Sequence, residues 1–347
     1  MSQARPPLNW VLVIQRAAVF GLVAALGLYA LWPQLPWGRN RTRTLVLYGF
    51  SILGEVMNEG IFPAFQARWQ DRTGERVEFI SSFASSGTIT NQIILGVPAQ
   101  VAILSLELDA LRLVSSRVVT GPTWRALPHE GVVNRTPFII MVRPGNPRRI
   151  TDFDSLGTPG IGIVHPDPLT SGGAQWAILA EYGAALRGRD REAAYEQLLG
   201  IWRNVVAQAS SARAARTQFE NGFGDALITY EQEGVRDRAR GRLKADLVYP
   251  RSTILSDHTV VVIEKNIRPE ERELVRSFVG FLWSEAGQQI FVDYGFRSVI
   301  DRLNAGNRSF GAIKDPFTVG DLGGWPRAKA EVIEAIWKAR VLQEVGR

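Results

Sequence analysis

Residues 44–104 read TLVLYGFSILGEVMNEGIFPAFQARWQDRTGERVEFISSFASSGTITNQIILGVPAQVAIL. Thr44–Tyr48 is a short apolar run with the length of a buried strand. Glu55–Trp69 then places Val56, Ile61, Phe62, Phe65 and Trp69 at helical spacing. Val77–Ile80 reads as a second strand, Thr88–Leu95 as a helix and Val101–Leu104 as a third strand. This β-α-β-α-β alternation predicts an α/β fold with a largely parallel sheet covered by helices.

The same rhythm continues downstream. Ile161–Val164, Trp202–Val206 and Ala226–Ile228 read as further strands. Helical patterns cover Ala174–Arg187, Arg191–Leu199, Arg213–Phe219, Glu270–Trp283 and Ala328–Leu342. Pro137–Val142 (PFIIMV) is an apolar strand closed by the turn Arg143-Pro144-Gly145-Asn146-Pro147. Thr259–Ile263 (TVVVI) resembles it. One such strand on each side of a central α/β block predicts two crossings between lobes. The expected division is a membrane segment and linker at 1–43, a discontinuous lobe of 44–122 and 256–347, and a second lobe of 123–255.

A chain of 347 residues is long for one core. It contains no cysteine, which excludes disulfides, thiolate metal sites and a cysteine nucleophile. Its three histidines, His129, His165 and His258, are too scattered for a histidine metal pair. The net charge is +6. Two arginine clusters stand out, Arg39, Arg41 and Arg43, then Arg236, Arg238, Arg240 and Arg242. Neither alternates with aromatics as a base-stacking surface does, so they read as solvated or membrane-facing and no nucleic-acid partner is expected. Walker and nucleophile-elbow motifs are absent, and no enzyme activity or cofactor is expected.

Ala17–Trp32 (AAVFGLVAALGLYALW) is an unbroken apolar run. Its flank of Leu31, Trp32 and Pro33 is poor for signal cleavage. A retained membrane anchor is therefore preferred over a removed signal, with Trp32 and Trp37 suited to the interface.

Three turns combine small residues with the start of a helix: Ser85-Ser86-Gly87-Thr88, Thr170-Ser171-Gly172-Gly173 and Ser210-Ser211-Ala212-Arg213. The first N–H groups of a helix lack intrahelical partners and carry partial positive charge. Together they form an anion site made of neutral groups. Each turn alone also fits an ordinary N-cap.

Asp167–Trp176 reads DPLTSGGAQW and resembles the NPKTSGGARW segment of the sulfate- and thiosulfate-binding proteins of bacterial ABC importers. The likeness runs in order from about Thr44 to Trp337. FIIMVRPGNP (Phe138–Pro147) resembles that family's strand ending in VRKGNPK. Ser210–Phe219 resembles SGARGATTTF, GFGDALITYEQEG (Gly222–Gly234) resembles GIGDVLLAWENEA, and LGGW (Leu322–Trp325) resembles FGGW. Ser252–Val262 and GQQIFVDY (Gly287–Tyr294) also find counterparts.

The resemblance implies a two-lobed periplasmic-binding-protein fold of type II that closes on one tetrahedral oxyanion. It also implies ABC permease and ATPase partners and a monomeric chain at the extracytoplasmic face. Carried over residue by residue, Ser171 offers a hydroxyl, and Gly172, Gly173, Ala212, Ser86 and Phe50 offer backbone N–H groups. Tyr230 stands where the family has a tryptophan. The family's SYD and HGGSG segments read Tyr48-Gly49-Phe50 and Phe83-Ala84-Ser85-Ser86-Gly87 here, and its acidic residue before the third strand is Gln100. Backbone donors survive such changes. Sulfate is a dianion without a proton, so a selective site needs donors and no unpaired acceptor. Glu231, next to Tyr230, should point away by strand alternation. Phosphate or molybdate as ligand, and a sensor or accessory module rather than a transport component, are the alternative readings.

Overall fold

The computed structural model describes residues 10–31 and 42–346. Helix α1 spans Trp10–Leu31. β1 (Thr42–Phe50) leads into a short turn, α2 (Gly54–Val56), a π-helical segment (Met57–Ile61) and α3 (Phe62–Thr73). Then follow β2 (Arg76–Ala84), α4 (Ser86–Ile94), β3 (Val101–Leu104) and α5 (Glu107–Ser115). The long strand β4 (Val132–Val142) precedes β5 (Ile163–Pro166), α6 (Gly172–Leu186), α7 (Arg191–Arg203), β6 (Val205–Ala209), α8 (Ala212–Glu220), β7 (Ala226–Tyr230) and α9 (Gln232–Ala239). A short β8 (Asp246–Val248) and the long β9 (Ser252–Val262) follow, then α10 (Arg272–Leu282), α11 (Glu285–Asp293), α12 (Asp301–Asn304), β10 (Asp315–Phe317) and α13 (Gly324–Ala328). A π-helical stretch (Lys329–Val341) runs from α13 into α14 (Leu342–Glu344).

The main strand order is β2-β1-β3-β9-β4-β7-β5-β6. β1 pairs in parallel with β2 and β3, and β5 with β6 and β7. The sheet is more mixed than the sequence predicts, because β9 runs antiparallel to β3 and β4, and β4 antiparallel to β7. β4 and β9 pair with each other along Thr136↔Ser256 and Pro137↔Leu255. Beyond that stretch β4 joins β7 on one side and β9 joins β3 on the other. The two lobes are thus joined through a pair of strands.

That joint is polar and buried except at one half-exposed ion pair. His258 Nδ1 lies 2.6 Å from Asn134 Oδ1, the Ser256 hydroxyl donates to Thr136 O at 2.6 Å, and Arg135 pairs with Asp257 at 2.6 Å. Burial pushes the His258 pKa down to about 3, so its imidazole is neutral at physiological pH. The main apolar core gathers around α6, α7 and the strands they cover. α6 is buried on nearly every face, which suits a helix apolar all round.

Trp202 and Arg203 close α7 instead of opening β6. The Trp202 indole donates to the buried Glu181 at 3.2 Å and its ring packs 5.1 Å from Trp337, which keeps it on the helix. Of the 236–242 arginines, Arg238, Arg240 and Arg242 are exposed as a solvated run, and Arg236 departs from that reading. Arg236 is 8% exposed, paired with Glu55 and with Glu59. Arg43 is bound to Glu75 at 3.1 Å. Trp32, Trp37, Arg39 and Arg41 lie outside the described residues. Among the described residues, no helix is long and apolar enough to cross a membrane.

Candidate functional site

Six strand ends deliver the candidate site. Phe50 closes β1, Ser85 and Ser86 follow β2, and Ser105 follows β3. Residues 167–171 follow β5, Ser210 and Ser211 follow β6, and Tyr230 closes β7. All are carboxyl ends, where open α/β sheets bind ligands.

The loop before α6 is wound by one residue, through its carboxylate and its backbone carbonyl. Asp167 Oδ1 accepts from Leu169 N at 2.9 Å, and Asp167 O accepts from Ser171 N at 2.8 Å. Ser171 is then extended (φ −100°, ψ 118°) and α6 starts at Gly172. Ser171, Gly172 and Gly173 are buried. Among the described residues, neither the Gly172 and Gly173 N–H groups nor the Ser171 hydroxyl has a hydrogen-bond partner. These are the groups that an anion would need.

The other two turns are built differently. Ser85 Oγ accepts from Thr88 N at 3.3 Å and Ser211 Oγ from Ala214 N at 3.2 Å, so both hydroxyls cap their own helices. The N–H groups of Ser86 and Ala212 have no partner among the described residues. The Ser86 hydroxyl is fully engaged: it donates to Asp109 Oδ2 at 2.6 Å and accepts from Ser105 N at 3.1 Å. Desolvation raises the buried Asp109 pKa, against the lowering effects of Ser86 and Arg112.

Thr170 ties the three turns together. Its hydroxyl donates to Ser210 O at 3.1 Å. A Cβ on Gly87 would lie 2.8 Å from Thr170 O, so only glycine allows α4 to approach this loop so closely. The Phe50 ring is 4.4 Å from His258 and 6.2 Å from Tyr230. The backbone after Phe50 meets α8. The predicted residues Phe50, Ser86, Ser171, Gly172, Gly173, Ala212 and Tyr230 are all buried around this junction.

Tyr230 is fully buried, its ring 4.5 Å from Phe138 and its hydroxyl 2.8 Å from Ser105 Oγ. Burial raises its pKa strongly, and Glu233 and Asp109 add to the rise. The phenol therefore remains protonated. Glu231 faces away, accepting from Arg297 at 2.8 Å and from Gly311 N at 2.9 Å. Cations near the junction are already paired. Arg213 reaches the buried Glu233 at 3.1 Å, and Arg216 bonds Glu220 at 2.8 Å and also Asp237. The junction therefore offers neutral dipolar donors, with the neighbouring positive charge balanced by carboxylates.

The profile of the family described as bacterial extracellular solute-binding protein matches residues 52–297. The chain is 32% identical over 311 residues to the sulfate-binding protein of Synechococcus elongatus, covering 87% of each chain. The chain belongs to this solute-binding protein family. It is also similar to the thiosulfate-binding protein of Pseudomonas aeruginosa, 30% identical over 66% of this chain and 70% of that one. Among solved structures, the sulfate-binding protein SubI from Mycobacterium tuberculosis superposes with a TM-score of 0.75 at 28% identity, covering 83% of this chain and 99% of that chain. These likenesses carry the two-lobed α/β fold.

In this solute-binding protein, sequence reasoning misses Ser105 and Asp109, and it quotes Thr170 and Trp176 within the α6 turn and its resembling segment without giving either a role. The Trp176 indole donates to Ser105 O at 2.7 Å, fixing the end of β3 against α6. Ser105 shares its place just past a strand's carboxyl end with any serine that follows a strand, whereas Thr170 stands in a turn with a local signature. Asp109 carries no signal beyond helical spacing. A separate surface cleft lined by Asp152, Arg187, Arg251 and Asp315 opens at the opposite end of α6 and includes none of these residues.

Proposed function

We propose that the chain captures a fully deprotonated tetrahedral sulfur oxyanion, sulfate or thiosulfate, between its two lobes and delivers it to an ABC permease and ATPase. The observation that carries this reading is the first turn of α6, where the N–H groups of two buried glycines and the hydroxyl of Ser171 have no partner among the described residues. Phe50, Ser86 and Ala212 add backbone donors, and Tyr230 adds a phenol. The sulfate- and thiosulfate-binding relatives support the ligand class. The chain holds its ligand without chemistry and acts as a monomer. Its lobes comprise 44–122 with 256–347, and 123–255.

The same reading places the two lobes outside the cytoplasm, with the N-terminal apolar run Ala17–Trp32 as a retained attachment to the membrane or a removed signal. The described apolar side chains of α1 are exposed, Phe20 at 81% and Tyr29 at 80%. A Cβ on Gly21 or Gly27 would meet nothing within 4 Å, so among the described residues no other part of the fold packs there. N-terminal sequencing of the mature protein tests this: a start near residue 28 or 31 means a removed signal, and an intact start a retained anchor.

A thermal-shift panel of oxyanions on the full chain tests the ligand. Sulfate or thiosulfate should raise the melting temperature progressively with concentration, by mass action. A rise with phosphate or molybdate alone would overturn the ligand assignment and leave the fold intact.

A further inference from the structure

We propose that Ser105 is a specificity-determining residue that makes the Tyr230 phenol act as a pure donor. This rests on the oxyanion reading above. A phenol can donate or accept, whereas a site selective for a proton-free dianion requires donors only.

Ser105 is held in place at three points. Its N–H donates to Ser86 Oγ at 3.1 Å, its carbonyl accepts from the Trp176 indole at 2.7 Å, and its hydroxyl meets Tyr230 Oη at 2.8 Å. It is 1% exposed. Ser86 Oγ cannot turn away, because its proton goes to Asp109 at 2.6 Å. Both hydroxyls of the pair lie on the first turn of α6. A Cβ on Gly172 would be 2.9 Å from Ser105 Oγ, and one on Gly173 would be 3.0 Å from Tyr230 Oη.

Two hydrogens are shared by this pair, and one occupies the bond between the oxygens. Either oxygen could direct the other hydrogen outward. A dianion decides the direction. The phenol is the more acidic hydroxyl, so its proton goes to the strongest acceptor, the oxyanion. Ser105 then donates to Tyr230 Oη, and the two bonds polarise one another cooperatively. In this arrangement Ser105 engages the phenol as an acceptor and holds the Tyr230 O–H toward the cleft. A protonated oxyanion such as hydrogen phosphate finds no free phenol lone pair to receive its proton. Without the Ser105 hydroxyl the phenol rotor is released, and Tyr230 can turn to accept.

Calorimetric titration of the full chain with sulfate and with phosphate at pH 7 tests the assignment. Ser105→Ala should lower the ratio of sulfate to phosphate affinity by roughly tenfold, the scale of one hydrogen bond to a charged group. In a Tyr230→Phe background the same change should leave the ratio unaltered, because Ser105 acts through the phenol. Ser105→Cys keeps the shape with a weaker donor and should fall between wild type and alanine, which preserves the test if the alanine variant does not fold. An unchanged ratio in a folded Ser105 variant overturns the inference while sulfate binding stands. An equal loss in the Tyr230→Phe background also overturns it. A wild-type chain that binds neither sulfate nor thiosulfate removes the functional reading and this inference together.

Discussion

Ser171 and Ser211 stand at the same kind of place: each follows a strand, is extended, and precedes a helix that begins with small residues. Ser211 has φ −153° and its hydroxyl accepts from Ala214 N at 3.2 Å. Ser171 has φ −100° and forms no such cap. The cause lies in the preceding loop. Asp167 winds residues 167–171 and anchors Ser171 N at 2.8 Å. An N-cap side chain normally satisfies one of the orphan donors of its helix. At α6 that service is withheld, so a hydroxyl and two N–H groups remain for something else. A serine before a small residue at a helix start is therefore two different objects, and only tertiary structure separates them.

The sharpest way to break this comparison is to cover the α6 donors. Gly173→Val should weaken sulfate binding at least about a hundredfold, because it removes access to more than one hydrogen bond to a charged ligand. The added Cβ would lie 3.0 Å from the Tyr230 ring edge and hydroxyl. Tyr230 cannot withdraw, since it is fully buried against Phe138. Calorimetric titration measures the affinity and circular dichroism checks the fold. Near-normal sulfate affinity in a folded variant would show that the α6 turn is not the site.

Ser171→Ala is a smaller change and addresses the hydroxyl alone. The expected loss is about 1.5–3 kcal/mol of binding free energy, the worth of one hydrogen bond to a charged group. Because the Ser171 hydroxyl caps nothing, the melting temperature without ligand should stay near that of the wild type. A drop in that temperature with binding unchanged would make Ser171 an ordinary cap after all.

Legibility differs just as sharply between regions. The strand ends of β4 and β9 are apolar and readable, but their shared middle contains Asn134, Arg135, Thr136, Ser256, Asp257 and His258. These residues bond across the joint, Arg135 to Asp257, Ser256 to Thr136 O and His258 to Asn134 Oδ1. A pattern search that looks for apolar runs therefore finds only residues 137–142 and 259–263. The donor turns are readable because strand-to-helix turns with small residues have a local signature. Ser105 is not readable in this way, for its partner Tyr230 lies 125 residues further along the chain. Nothing near Ser105 in sequence distinguishes it from any serine after a strand. Tyr230 was legible only by its place in a resembling segment, and its burial and bond to Ser105 come from the fold.

The smallest effect expected is at the other member of the comparison, where the outcome should invert. Ser211→Ala removes a cap that the structure shows being used, with Ser211 Oγ accepting from Ala214 N at 3.2 Å. Loss of such a cap costs about 1 kcal/mol of stability. For a chain of this size that is a small drop in melting temperature, on the order of 1–2 °C. Sulfate affinity should hardly move, because the donor at this turn is the Ala212 N–H, a backbone group that survives the substitution. α8 is also held by other means: Phe219 is buried and Arg216 bonds Glu220 at 2.8 Å and Asp237. The helix start should therefore stay in place, and the Ala212 N–H with it. Thermal denaturation without ligand and calorimetric titration with sulfate give the two readings independently. A variant of unchanged stability that binds sulfate tenfold more weakly would mean that the Ser211 hydroxyl serves the ligand, and that the two serines play one role and not two.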